Sequence, residues 1–182
     1  KFLTNKELRD SIVAISRVGK VGSKLSRLLF EKKANLIVSN IGRDPIDQLK
    51  HEKISFMESD INSIFEQECD IISPCALGRA INSETKKKLK CKAIVGAANN
   101  QLDKSETAEW LRENNIFYAP DYLVNSGGVI AISCEINNSE DTLDDQLNKI
   151  SDKVLLLLKE SKKSSLSTDK IVEDLAWKRI NI

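Results

Sequence analysis

The sequence predicts an α/β fold: a doubly wound, largely parallel sheet with a C-terminal helical extension. Three observations predict it. Short, continuous apolar runs such as Ile12-Val13-Ala14-Ile15 and Leu36-Ile37-Val38-Ser39 read as strands buried on both faces. Between these two, Leu25, Leu28, Leu29 and Phe30 recur at helical spacing, so that strand, crossover helix and second strand fit a βαβ unit of about 30 residues. Polar, glycine-bearing segments then follow one apolar run after another, where such a sheet would present its loops to a ligand.

The first helix is expected from Gly22 to Lys33, with a turn at Ala34-Asn35. Asp44-Pro45 can open a short helix, Ile54-Ser55-Phe56 reads as a strand, and Asp60 would cap a short helix through Phe65. Asp70-Ile71-Ile72-Ser73 is a strand ending at Pro74, and Ala93-Ile94-Val95 a further one. Ser105 is expected to cap a helix through Ala108, Leu111 and Arg112, with Glu106 and Glu109 in its first turns, before a strand at Ile116-Phe117-Tyr118. From Gly127 the pattern turns helical. Val129, Ile130, Ile132, Cys134 and Ile136 cluster, and after a polar gap Leu143, Leu147, Ile150, Val154 and Leu158 mark a long helix. Ser164 to Thr168 is a linker, and Ile171 to Ile180 a last helix around Trp177. The layout is Rossmann-like.

At 182 residues the chain is long enough for one sizeable core, or for one domain with a helical tail. Lys and Arg number 28 against 27 Asp and Glu. The formal charge of +1 gives no electrostatic case for nucleic acid or an anionic membrane surface. The longest apolar run near the C-terminus, Val154 to Leu158, falls far short of the roughly 20 residues that span a bilayer. Lys1-Phe2-Leu3 begins as a signal peptide would, but Thr4-Asn5-Lys6-Glu7 ends any apolar region at once. Cys69, Cys75, Cys91 and Cys134 have neither metal-ligand nor CxxC spacing, and the single histidine, His51, stands in a polar stretch. Reduced thiols, no metal site and a cytoplasmic location are therefore expected. A chain opening on Lys1 instead of Met carries the expectation of a segment upstream.

The chemistry gathers at strand ends. Val13 to Gly22 reads as strand, tight turn and helix; against G-x-G-x-x-G it keeps the second and third glycines as Gly19 and Gly22, with Arg17 in place of the first. Two glycines at a strand–helix junction are common in any α/β protein. The weight comes from five such segments (Arg17 to Gly22, Asn40, Pro74 to Gly78, Gly96 to Gln101, Asp121 to Gly128), which together predict one cleft on one rim. Taken singly, Cys75 reads as a core thiol with no histidine to activate it, Asn99-Asn100 as a turn, and Gly127-Gly128 as a loop feeding a helix. The only candidate acid–base groups near the rim are Asp121 and Tyr122.

Three blocks carry a resemblance: Pro74-Cys75-Ala76-Leu77-Gly78, Gly96-Ala97-Ala98-Asn99-Asn100-Gln101-Leu102, and Tyr118 to Ile130. They resemble the cofactor domain of the Glu/Leu/Phe/Val dehydrogenases, the leucine dehydrogenases being the nearest branch, and the likeness runs from about Ile12 to the last helix. It implies NAD-dependent oxidative deamination of an L-amino acid to a 2-oxo acid, with hydride passing between the substrate α-carbon and the nicotinamide. It also implies that Gly19 and Gly22 sit under the pyrophosphate, with Arg17, Val18, Lys20 and Val21 as further cofactor-binding positions and Asn40 at the adenine ribose. Cys75, Ala76 and Leu77 would line the adenosine or nicotinamide-ribose side. Ala98 and Asn99 would meet the nicotinamide ribose, Asn125 the nicotinamide, and Val124 and Asn125 the substrate pocket. Residues 1–140 would form the dinucleotide-binding domain, and 141–182 a helical segment packing on it or toward an N-terminal substrate domain. The family's catalytic lysines and aspartate belong to that domain, which Lys1 to Ser11 is too short to supply, so no catalytic residue is assigned here. The implied partners are an L-amino acid or 2-oxo acid, a separate substrate domain, and further copies in a homo-oligomer.

Two residues depart from the pattern. Arg17 would force a side chain into a glycine conformation, at a cost on the order of 1–3 kcal/mol. Disruption of the pyrophosphate site is the expectation, and bidentate pairing of the guanidinium with the pyrophosphate the alternative. Asn40 stands where an aspartate would grip the ribose hydroxyls, and losing that charge-assisted bond costs about 1–3 kcal/mol. Its neutrality, with Arg43 nearby, also leaves NADP as a less favoured cofactor. The competing readings are a degenerate, non-catalytic module that binds a nucleotide or partner weakly, and a different Rossmann enzyme acting alone.

Overall fold

A computed structural model of the chain describes residues 3–76 and 78–180. Its elements follow in the order β1 (Ile12–Ser16), α1 (Lys20–Glu31), β2 (Asn35–Ser39), α2 (Asp44–His51), β3 (Met57–Glu58), β4 (Ile71–Pro74), β5 (Ala93–Ile94), α3 (Ser105–Glu113) and β6 (Phe117–Tyr118). Four helices complete the chain: α4 (Asp121–Val124), α5 (Gly127–Ile136), α6 (Leu143–Ser161) and α7 (Thr168–Ile180). All six strands are parallel, in the order β3-β2-β1-β4-β5-β6. The order reverses between β1 and β4, which is the switch point where open sheets of this kind bind ligands.

Both faces of the sheet are covered, as the continuous apolar strands require. Because side chains alternate along a strand, Val13 and Ile15 point with Leu36 and Val38 into one core, closed by Ile46 and Leu49 of α2 and by Leu25 and Leu29 of α1. Ala14 points the other way with Ile37, Ile72 and Ile94, against Ile64, Phe65 and Leu111. A third cluster joins Ala93, Phe117 and Ala119 to Leu157, Leu158 and Ile171, which seats α6 and α7 on the β5–β6 side.

Helix α1 begins two residues before Gly22, with Gly19 as its extended N-cap, and it stops ahead of Lys33, whose φ of 62° reverses the chain. In α2, Pro45 occupies the first turn, with Asp44 and Asp47 there and Lys50 and His51 in the last turn, the arrangement the helix dipole favours.

Three expectations are corrected. The third strand lies at Met57–Glu58, not at Ile54 to Phe56: Ile54 is buried as the chain leaves α2, and the ladder to Ile37 and Val38 begins only afterwards. The helix expected from Asp60 is a single 3-10 turn at Ile64–Glu66. Asp60 instead accepts the Asn62 backbone N–H at 2.8 Å, a local turn that competes with a helical start. Ser105 is the first residue of α3 and makes no cap bond to a backbone N–H. In that turn the Thr107 hydroxyl donates to Asp103 Oδ1 at 2.6 Å.

Candidate functional site

The switch-point turn forms with an arginine in it. Arg17 follows β1 with a φ of 69°, the left-handed conformation a glycine would take there. The next residue, Val18, is fully buried and donates its N–H to Ser39 O of β2 at 3.1 Å. Its carbonyl accepts the Ser23 hydroxyl at 2.6 Å, which ties turn to helix. Gly22 lies so close beneath the turn that a Cβ there would collide with the Arg17 carbonyl. Above Gly19 the space is open, with no atom within 4 Å of a Cβ position. Helix α1 has no acidic residue in its first turn, and the N–H groups that open a helix lack intrahelical partners. This donor set fits a diphosphate. Arg17 is half-buried as a residue, and its side chain makes no hydrogen bond or ion pair among the described residues.

Three more loops join the turn. Cys75 donates its N–H to Ser16 O at 3.0 Å, and Ala98 donates to Pro74 O at 3.0 Å. Gly96 is wedged against Pro74: a Cβ there would lie 2.7 Å from Pro74 N and closer still to its carbonyl oxygen and ring. Gln101, wholly buried, donates from Nε2 to Gly96 O at 2.8 Å and Ala98 O at 3.0 Å. Asp121 accepts the Asn100 N–H at 2.7 Å on one oxygen and the Tyr118 hydroxyl at 3.0 Å on the other. Asn125 Nδ2 then donates to Asn99 Oδ1 at 2.6 Å. The rim thus brings together Arg17, Val18, Gly19, Cys75, Ala98, Asn99 and Asn125. Lys20 and Val21 are exposed on the first turn of α1 and Ala76 is exposed after β4, while Leu77 lies outside the described residues. Val124 is half-buried and packs on the cluster around Leu157 and Leu158. Gln101 and Asp121 are the frame residues that single motifs do not reveal: Gln101 ties its own loop together from a buried position, and Asp121 reaches back 21 residues to Asn100.

The two candidate acid–base groups are both committed. Asp121 holds the loops just described. The Tyr122 hydroxyl donates to Asp169 Oδ1 at 2.9 Å, and burial, with the Asp169 charge, pushes its pKa well above the ordinary tyrosine value. Burial likewise raises the Cys75 thiol, against the opposing effect of Ser73, so it stays protonated near neutral pH.

At the ribose end Asn40 donates Nδ2 to Gly42 O at 2.9 Å, an amide turned into its own loop. Arg43 pairs with Glu58, which Lys50 also holds at 2.9 Å, and it lies 3.5 Å from Asp47. A cavity of about 260 Å³ opens between the ends of β1 and β4, lined by Ser16, Arg17, Phe65, Pro74, Ala76 and Gly78 among others. A larger groove of about 1300 Å³ lies at the opposite, amino-terminal end of the sheet, beside Ile12, Asn35 and Lys90. Asp10, Glu31, Glu66 and Glu68 line it, a carboxylate-rich wall unsuited to a diphosphate. The carboxylate wall therefore disfavours the larger groove, and the smaller cavity is the one that lies at the switch point.

Strand order, turn and rim define a doubly wound domain of the dinucleotide-fold class. The chain belongs to the glutamate/leucine/phenylalanine/valine dehydrogenase family, whose pattern matches residues 38–169. It is 36% identical to leucine dehydrogenase of Thermoactinomyces intermedius over 178 residues, which is 96% of this chain and 48% of that protein. Phenylalanine dehydrogenase of the same organism matches equally, 36% over 178 residues with the same coverage. Among solved structures, L-tryptophan dehydrogenase from Nostoc punctiforme superposes with a TM-score of 0.89 at 32% identity, covering 94% of this chain and 52% of that one. The chain spans about half the length of the relatives it matches.

Proposed function

We propose that this chain is the NAD-binding domain of an amino-acid dehydrogenase that oxidatively deaminates an L-amino acid with an apolar side chain to its 2-oxo acid. The observation that carries the reading is the convergence of four loops, from β1, β4, β5 and β6, on one rim at the switch point. Family membership supports it. Relatives named for leucine and phenylalanine at equal identity support the side-chain class over any single amino acid.

In this reading the N–H groups of Gly19, Lys20 and Val21 bind the diphosphate, and Asn40 offers one hydrogen bond to the adenine ribose. Cys75 and Ala76 line the cleft. Ala98 and Asn99 face the nicotinamide ribose, and Asn125, oriented by Asn99, reaches the nicotinamide and substrate end beside Val124. Bound nicotinamide supplies the hydride acceptor. Residues 1–140 act as the cofactor unit, with 141–182 as its helical extension. The groups that move protons are assigned to a separate substrate domain, because Asp121 and Tyr122 are both engaged. Assembly into a homo-oligomer and residence in the cytoplasm belong to the same reading.

NAD is favoured over NADP because Arg43 is already paired with Glu58 and Asp47, so a 2′-phosphate would meet that acidic pair. The turned-in amide of Asn40 favours a second reading, a module that has lost cofactor binding. Calorimetric titration separates the two. The proposal expects saturable NAD binding, NADP at least ~10-fold weaker, and an Asn40→Asp variant that binds NAD about 10-fold tighter by regaining a charge-assisted ribose bond. No heat of binding in wild type or variant supports the lapsed module.

A further inference from the structure

We propose that Arg17 is the anion anchor of the site: its guanidinium holds the diphosphate of the bound nucleotide, and recognition rests on the phosphates more than on the ribose. The inference builds on the cofactor-domain reading above and concerns the residue in which the chain departs most from the glycine pattern.

Four observations carry it. Arg17 lines the cavity at the switch point, and among the described residues it is the one charged residue lining it, the others being Ser16, Asn62, Thr85 and apolar or glycine positions. A cavity with a single positive charge and no carboxylate selects an anion. Arg17 is half-buried as a residue, and its guanidinium has no hydrogen-bond or ion-pair partner among the described residues. About 260 Å³ stays open beside it, and nothing stands over Gly19, so the side chain borders the crevice without filling it. Finally, the ribose anchor is weak, since Asn40 is neutral and its amide is spent on Gly42 O.

The geometry suits the chemistry. A guanidinium presents a planar fork of donors that can meet two phosphate oxygens at once, and such charge-assisted pairs are stronger than neutral bonds. The N–H groups opening α1 approach from the helix side. Arg17 lies on the same turn, two residues ahead of the Gly19 N-cap, and a diphosphate reached from both is the arrangement proposed. The ligand class is any adenine nucleotide carrying a diphosphate, NAD and ADP included.

The test is calorimetric titration of the chain with NAD, ADP and inorganic pyrophosphate, in wild type, Arg17→Ala, Arg17→Lys, Arg17→Gly and Arg79→Ala. Arg79 is the control: it is left-handed too, with φ 59°, and is exposed next to the cavity without lining it. Arg17→Ala should weaken all three ligands roughly 10- to 100-fold, Arg17→Lys should recover part of the loss, and Arg79→Ala should bind as wild type. Arg17→Gly separates charge from backbone strain, since it should bind as weakly as Arg17→Ala while melting about 2–4 °C above wild type. Equal or tighter NAD binding by Arg17→Ala or Arg17→Gly overturns the inference and makes Arg17 an obstruction, leaving the cofactor reading intact. An equal loss in Arg79→Ala overturns it as well. Pyrophosphate binding that depends on Arg17, with no NAD or ADP binding in any variant, overturns the cofactor reading and, with it, the inference that Arg17 holds a nucleotide. No binding of any ligand overturns both.

Discussion

Asp70 works at the end of the sheet opposite the switch-point rim, and it shows how much one buried carboxylate can hold. It is 7% exposed. One oxygen accepts the Ile12 N–H at 2.9 Å where β1 begins, and Lys6 reaches both oxygens at 2.9 and 3.0 Å. Burial alone would raise its pKa, but the Ile12 N–H and the Lys6 ammonium together hold it below the ordinary aspartate value. A depressed carboxylate contributes stability that is fully present above its unfolded pKa of about 4 and is lost as pH falls through the lower folded value. Asp70→Asn should therefore cost about 1–3 kcal/mol at pH 7 and flatten the stability loss below about pH 4, as read by urea unfolding at a series of pH values. Equal acid sensitivity in variant and wild type would contradict this. Legibility at this scale is uneven. The Arg17 and Asn40 substitutions are plain in the sequence, but the left-handed backbone of one and the turned-in amide of the other depend on neighbours the sequence does not order. Burial of the thiols could be guessed from their apolar surroundings, and it pushes Cys69 up to about 12 and Cys91 to about 11.

Among elements, those specified by local pattern were the legible ones. The first βαβ unit, α3, α6 and α7 all follow from apolar spacing. The third strand slipped because Ile54 and Phe56 are apolar for packing, while the ladder needs only backbone and falls on exposed Met57 and Glu58 at the sheet edge. The rim's frame was less legible still. The Asp121 bonds span 21 residues to Asn100, and those of Gln101 depend on how the loop folds back over Pro74. Gly96 marks where that folding is tightest. Gly96→Ala must push the loop off the backbone and ring of Pro74, at about 1–3 kcal/mol. That should lower the melting temperature by several degrees, about 2–4 °C per kcal/mol, and weaken NAD binding through displaced Ala98 and Asn99. An unchanged melting curve would show that the contact yields freely.

For the whole molecule, the doubly wound architecture was readable because parallel strands buried on both faces admit few alternatives. The groove of about 1300 Å³ at the amino-terminal end of the sheet was not readable, and its carboxylates make it a poor rival to the rim. One apolar face also stands uncovered: Val129, Ile132 and Ile136 are 72, 58 and 74% exposed along α5, although a helix apolar on most sides is ordinarily buried. No helix among the described residues is long and apolar enough to cross a membrane. The central claim is that a nicotinamide dinucleotide binds at the carboxyl ends of the strands, across the β1–β4 switch point. Backbone amide NMR of the labelled chain during an NAD titration tests it directly. Saturating shifts are expected at Gly19, Lys20, Val21, Ala98, Asn99 and Asn125. Shifts confined to Ile12, Asn35, Met57 and Lys90 around the opposite groove, or none at millimolar NAD, would contradict it.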